Sequence, residues 1–402
     1  MRCSKTHSLE IARKSVALFG ISLWLGVSAL SAQTVAWTKS YVNPARSVNL
    51  ADAQPRFDLN GAGELEFTRV RTIVPQSDGS FIVANGATNK LRVFDAQGKF
   101  VSRTGRKGNG PGEYTTFTAF ATLLGDSLAV LDGFARRISI LAKNGVFVRS
   151  IPVVQAPSGL GSAANMMALP SGALLVGFSE VSRMAPQPNA IMFYERYFTI
   201  NSVTGALAPT DIRAPQSEHF VQAAAPERGG VAYWDLAFGK KASVRGSRSG
   251  FIVADAASWS IEQHGPNGAV AGTHRVARAV QPLTDSERED YRKRELASVK
   301  GNDGGVTEKM IAEMPYPKNK PAYARVEVER GSDRLWVQTY APEADKQNEW
   351  LRLDPPTSIA EAATMPPRFR PLAFTPTLVY GVWRDDDDVE HVRVYSLSGM
   401  RK

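Results

Sequence analysis

Residues 81–101 read FIVANGATNKLRVFDAQGKFV. Moved forward by 47 positions without a gap, the frame falls on LAVLDGFARRISILAKNGVFV (128–148): Val83 meets Val130, Gly86 meets Gly133, Gly98 meets Gly145, and Phe100-Val101 meets Phe147-Val148. Moved by 170 it falls on FIVADAASWSIEQHGPNGAVA (251–271), where Phe81-Ile82-Val83-Ala84 meets Phe251-Ile252-Val253-Ala254 and Gly98 meets Gly268. Each copy has the same grammar: a turn, a short apolar strand, a polar loop, an alternating strand such as Leu91-Arg92-Val93-Phe94, a Gly-containing turn and a further strand. Short strands separated by Gly, Asp and Asn are hairpin signals. Self-similarity at a fixed period is the mark of a repeat architecture.

Weaker copies complete the series. Residues 163–213 hold LLVGF and FYERYFTI, residues 322–365 hold RVEVE, RLWVQTY and NEWLRLD, and residues 369–397 hold FRPLAFT, LVYGVW and HVRVYSL. Four antiparallel strands per unit, six times over, predict an all-β, six-bladed β-propeller. The last unit supplies only three clear strands. Because an open edge invites aggregation, a strand from the N-terminal region is expected to close the ring. Arg46–Leu50 is the candidate, pairing with the strand at 389–397.

These residues resemble an NHL-type six-bladed propeller. That family's pattern places an Asp after the second strand and a basic residue at the start of the third. Asp132 and Arg137-Ile138 match it, whereas Asn85 with Lys90, and Asp255 with Ser260, match in part. The link Gly105–Tyr114 (GRKGNGPGEY) resembles the Gly-rich connection between NHL blades, and residues 282–397 resemble the C-terminal half of exported bacterial six-bladed propellers of unassigned function. The resemblance implies the fold; for activity it implies only that some such propellers are lyases or hydrolases with a channel metal held by His or carboxylates. The link is not a phosphate cradle, since it joins two strands and no helix start follows it.

The chain of 402 residues is 43% hydrophobic and 22% charged, an ordinary globular balance. Its first 32 residues have the order of a signal peptide: a basic start, an apolar run at 15–30, and small residues at Ala29–Ala32. Cleavage after Ala32 is expected, with Ser31 a close alternative and an uncleaved membrane anchor the competing reading. Cys3 is the one cysteine and lies before the apolar run. It therefore cannot be a lipoprotein cysteine, and the cleaved chain has neither disulfide nor thiol. The predicted location is periplasmic or extracellular, with no stable membrane insertion after cleavage. The formal charge of +9 is spread over the chain without a recognition motif, which argues against nucleic acid as a partner.

Residues 33–402 then form the propeller, with additions at 180–190, 209–241 and 274–321. By their place in the blades all three open on one face. The last holds predicted helices at 284–300 and 306–314, and a helical lid is expected over about 282–315. Loops on a rigid scaffold commonly carry function, so the candidate binding residues are His219, His274, Tyr233, Trp234 and Tyr316. The acidic run Asp385–Asp388 with Glu390 suits Ca²⁺ in donor type but lacks a calcium-loop spacing. Asn85, Asp132 and Asp255 recur at one position and read as turn caps. No Glu-x-x-His follows any histidine, and no Gly-x-Ser-x-Gly or Walker pattern is present. No catalytic residue, cofactor or metal ligand is therefore assigned. The functional expectation is a monomeric exported propeller that binds a small-molecule or protein ligand at the face carrying the long loops. The alternative is a metal-assisted lyase or hydrolase with its site in the central channel.

Overall fold

The computed structural model describes residues 36–42, 44–60, 66–153, 156–180, 190–223, 231–299, 308–341 and 348–398. The signal segment, nearly all of the 180–190 addition and residues 300–307 of the predicted lid lie outside them.

Six small sheets, each built on four antiparallel strands, follow one another along the chain and make a six-bladed propeller. Blade one runs Val70–Pro75, Phe81–Asn85, Lys90–Phe94 and Phe100–Thr104, and blade two runs Ala119–Thr122, Leu128–Asp132, Arg137–Leu141 and Phe147–Pro152. The second and third strands, FIVAN, LAVLD and their partners, are buried on both faces, which explains their continuous apolar runs. The hairpin glycines shared by the repeats, Gly98, Gly145 and Gly268, have φ of 80°, 79° and 87°, a region that L side chains rarely enter. Asp132 and Asp255 cap their own turns as expected, whereas Asn85 ties down the link that precedes its blade. Asp132 accepts from Thr115 N and Oγ1 (both 2.6 Å) and from Ala135 N (3.0 Å), Asn85 Oδ1 accepts from Thr68 N (3.2 Å), and Asp255 accepts from Ala257 N (2.9 Å).

The N-terminal region closes the ring, but not with the predicted strand. Phe57–Leu59 is the fourth strand of blade six, antiparallel to Glu390–Ser396 with Val392 opposite Leu59 and Val394 opposite Phe57. Arg46–Asn49 instead lies parallel to Ile359–Thr364 as a fifth strand of blade five, and Trp37–Tyr41 lies parallel to Val270–Val276 as a fifth strand of blade four. The side chains explain the choice. Phe57 and Leu59 pack into the core shared by blades six and one, and Asp58 between them binds Arg393 (2.8 Å) and His391 (3.1 Å). Arg46–Asn49 has one inward apolar residue, Val48, which packs into the core shared by blades five and six, while its backbone pairs with blade five.

Blade three departs from a plain four-stranded unit. Its fourth strand, Leu207–Ala223, runs on past the blade and pairs with Val231–Asp235. Much of the 209–241 addition is thus sheet rather than an irregular link. Helix α1 (Asp285–Val299) and the short α2 (Glu308–Glu313) follow blade four. Thr284 and Glu287 form a reciprocal cap on α1, with Thr284 N donating to Glu287 Oε2 (2.9 Å) and Glu287 N to Thr284 Oγ1 (3.3 Å). Met310, Ile311 and Met314 bury themselves against Phe220, Leu236 and Phe238 of the extended hairpin. Among the described residues no helix is long and apolar enough to cross a membrane.

Candidate functional site

The innermost strands of all six blades surround a central cavity of about 1120 Å³. Those of blades four, five and six are Ser243–Ser247, Tyr323–Val328 and Phe369–Phe374, and that of blade three is Leu160–Ala168. At the hairpin end, Arg330, just after the blade-five strand, meets Asp126 in the first turn of blade two. Blades two and five face each other across a six-membered ring, so this ion pair bridges the channel. Its separation is 2.5 Å, and Arg330 also donates to Thr122 Oγ1 (2.9 Å). Burial opposes ionisation of Asp126, but hydrogen bonds from Ser77 and Arg330 outweigh it and hold the carboxyl below its ordinary range.

Toward the other end the wall is basic. Arg71, Arg245, Arg325 and Arg370 stand on the inner strands of blades one, four, five and six, which are consecutive around the ring. Arg71 and Arg370 are exposed, while Arg245 and Arg325 are partly buried, their side chains 38% and 24% accessible. Arg245 makes a two-pronged pair with Glu327 (3.0 and 3.2 Å). Arg325 donates through Nη2 to the Pro371 carbonyl (2.6 Å), but its Nε, 3.6 Å from Glu327, is buried without a hydrogen bond. Burial disfavours the charge on Arg325, as do the neighbouring Arg245 and Arg370 cations. Burial opposes ionisation of Glu327 too, but Arg245 and Arg325 prevail and keep its carboxyl low. The segments of blades two and three that line the cavity, 118–124 and 164–170, carry no charged side chain. Behind Asn165 on that side lies Glu195, buried and accepting from Tyr197 Oη (2.7 Å) and Gln216 Nε2 (3.0 Å); burial pushes its pKa up.

The five residues expected to bind do not form one site. His219 and Tyr233 lie on one face of the extended hairpin around Phe193, with ring separations of 4.3 and 5.3 Å. Tyr233 is 41% exposed, whereas His219 is half-buried, and burial lowers its pKa. Trp234, one residue on, points to the opposite face and packs with Tyr316 in the apolar core beneath the helices. These two rings therefore hold the insertion to the hairpin. His274 does not reach the channel. It sits on the outer side of blade four, enclosed by Trp37 and Tyr41 of the N-terminal strand, with Tyr41 Oη 3.0 Å from Nδ1. None of the five lines the cavity. Asp385 caps its own hairpin turn and contacts His391 (3.3 Å), and Asp386 pairs with Arg368. Among the described residues no three His, Cys, Asp or Glu side chains gather in a way that could hold a metal ion.

The channel arginines escape a motif search because each stands alone in its own strand. The signal that could have found them appears only after the blades are aligned: VRT, SVRG, YARV and FRP each place an Arg in the second or third position of a first strand.

Residues 59–144, a minority of the chain centred on the clearest repeats, match the DUF5128 family, described as a 6-bladed beta-propeller. No curated protein matches the sequence. Among solved structures, a Bacteroides fragilis protein described as exported is similar over 89% of this chain and 99% of its own, at 12% identity and a TM-score of 0.44. Virginiamycin B lyase from Staphylococcus aureus is similar over 82% and 97%, at 11% identity and 0.41. Regucalcin, a calcium-binding protein from Agrobacterium tumefaciens, is similar over 92% and 98%, at 9% identity and 0.41. At these identities no site residue carries across.

Proposed function

We propose that the protein is an exported propeller that takes up a small-molecule ligand in its central channel from the face bearing the insertions. The observation that carries this reading is the difference between the two channel ends. One is bridged by Arg330 and Asp126, and the other presents Arg71 and Arg370 to solvent. A cavity of about 1120 Å³ is of the size that small ligands occupy. The signal-like order of residues 1–32 supports export to the periplasm or beyond. The extended hairpin and helices, held together by their own apolar core, flank the entrance rather than supply the wall.

The test is a thermal-shift screen of neutral, cationic and anionic small molecules on the cleaved protein, repeated on Ala164→Trp, which places an indole in the channel, and on Tyr233→Ser at the hairpin. Compounds that stabilise the wild type and Tyr233→Ser but not Ala164→Trp support the channel. Compounds lost only in Tyr233→Ser move the site to the hairpin face, and none lost in Ala164→Trp refutes the reading.

A further inference from the structure

We infer that the channel ligand is a small multivalent anion carrying at least two carboxylate or phosphate groups, gripped by the arc Arg71, Arg370, Arg325 and Arg245. The inference rests on the channel being the ligand site. Four guanidinium groups on four consecutive blades face one cavity, and the carboxylate among them is Glu327. The other carboxyls near the arc are engaged elsewhere. Glu390 accepts from Val70 N (2.8 Å) and pairs with Arg384 (3.1 Å), while Glu195 is held by Tyr197 and Gln216. Like charges gathered in a confined, partly dehydrated space repel one another more strongly than on an open surface. The arc is therefore incomplete as protein alone. Arg325 and Arg370 each spend one N–H on a backbone carbonyl, of Pro371 (2.6 Å) and Val70 (3.1 Å), and Glu327 balances one charge of the four.

The layout also sets the valence. Arg245 and Arg325 are less exposed than Arg71 and Arg370, and the four span half the ring. Two or more joined acid groups can engage guanidinium groups on several blades at once, whereas one compact group engages those nearest to it. Guanidinium forks take carboxylate and phosphate alike through paired N–H···O bonds, so the shared chemistry is what the site reads. The uncharged wall from blades two and three leaves room for the body that joins the acid groups.

The test uses citrate and pyrophosphate as probes, with glucose as a neutral control, titrated calorimetrically into the full cleaved protein at low ionic strength. Variants are Arg325→Gln, Arg370→Gln and Arg71→Gln, with Lys99→Gln as a matched loss of exposed charge outside the channel. The expected result is saturable binding of at least one probe, weakened roughly tenfold or more by each channel substitution, unchanged in Lys99→Gln and falling as salt rises. Tighter citrate binding assigns the polycarboxylate class, and tighter pyrophosphate the phosphate class. Arg71 is exposed, so Arg71→Gln remains informative if a variant at a less exposed position fails to fold. Binding of both probes no tighter than glucose, or equal binding by all variants, overturns the inference. Should a neutral compound bind in a manner that Ala164→Trp abolishes while both anions stay inert, the anion assignment falls and the channel reading stands. If no compound of any charge depends on Ala164, both fall.

Discussion

Acid should loosen this propeller through His274. The imidazole is 1% exposed, edge-on to Trp37 (4.9 Å between ring centres) and stacked on Tyr41 (5.9 Å), with Nδ1 facing Tyr41 Oη and Nε2 buried without a partner. An imidazolium there would carry an N–H with no acceptor in an apolar seam. Burial accordingly brings the pKa down from 6.5 to about 4, with Asp333 opposing weakly. Below pH 6.5 the unfolded chain takes up a proton at this position that the folded chain refuses. The contribution is therefore fully present above pH 6.5 and is lost progressively as pH falls toward 4. The linkage relation gives a loss of about 2 kcal/mol at pH 5 relative to pH 7.5. Carboxylates and His219 add their own pH dependence, so the diagnostic quantity is a difference. Urea unfolding of wild type and His274→Phe should be compared at pH 7.5 and 5.0. The variant, which keeps an aromatic ring between Trp37 and Tyr41 but cannot titrate, should lose about 2 kcal/mol less on acidification. Equal losses in the two proteins would refute the reasoning, whatever the absolute stability of the variant.

Gly272→Ala tests the same seam by volume, because a Cβ there would stand 2.1 Å from the Trp37 ring. The ring must leave, at a cost of about 1–3 kcal/mol, and amides of Trp37–Tyr41 should exchange faster while those of blade one stay protected. Arg352 is 2% exposed and binds Glu329 (2.9 Å) and Glu361 (3.1 Å), both buried. Arg352→Ala removes the cation shared by two buried carboxylates, of which Glu329 keeps Arg334 (3.3 Å), and should lower unfolding stability by about 3 kcal/mol in urea titration. Thr284→Ala removes the reciprocal cap of α1 and should cost that helix about 1 kcal/mol. Hydrogen exchange should register this in the first turn of α1, with the blades unchanged.

How far the sequence discloses the molecule depends on how local the determining interactions are. The strands of blades one, two and four are written in contiguous apolar runs, and their hairpins in glycines that adopt positive φ, so a shifted alignment finds both. The capping pair Thr284 and Glu287 is equally local. The N-terminal strands are not. Arg46–Asn49 and Phe57–Leu59 are both short, and what separates them is a partner more than 300 residues away: Phe57 and Leu59 fit the open edge of blade six, whereas the backbone around Val48 pairs with blade five. Once Trp37–Tyr41 is laid against blade four, His274 ceases to be a candidate ligand residue and becomes a buried contact, a change that no pattern around residue 274 foretells. The channel shows the same limit from the other side. Arg71, Arg245, Arg325 and Arg370 are unremarkable one by one, since a single strand arginine is ordinarily a solvated charge. Closing the ring turns four such residues toward one cavity, so the feature that best indicates a ligand is a property of the closed ring and of no single blade. The aromatic residues of the insertions follow the opposite course. Trp234 and Tyr316 stand out in the sequence because they are large and rare, yet their bulk is what a small insertion needs to bury for its own cohesion.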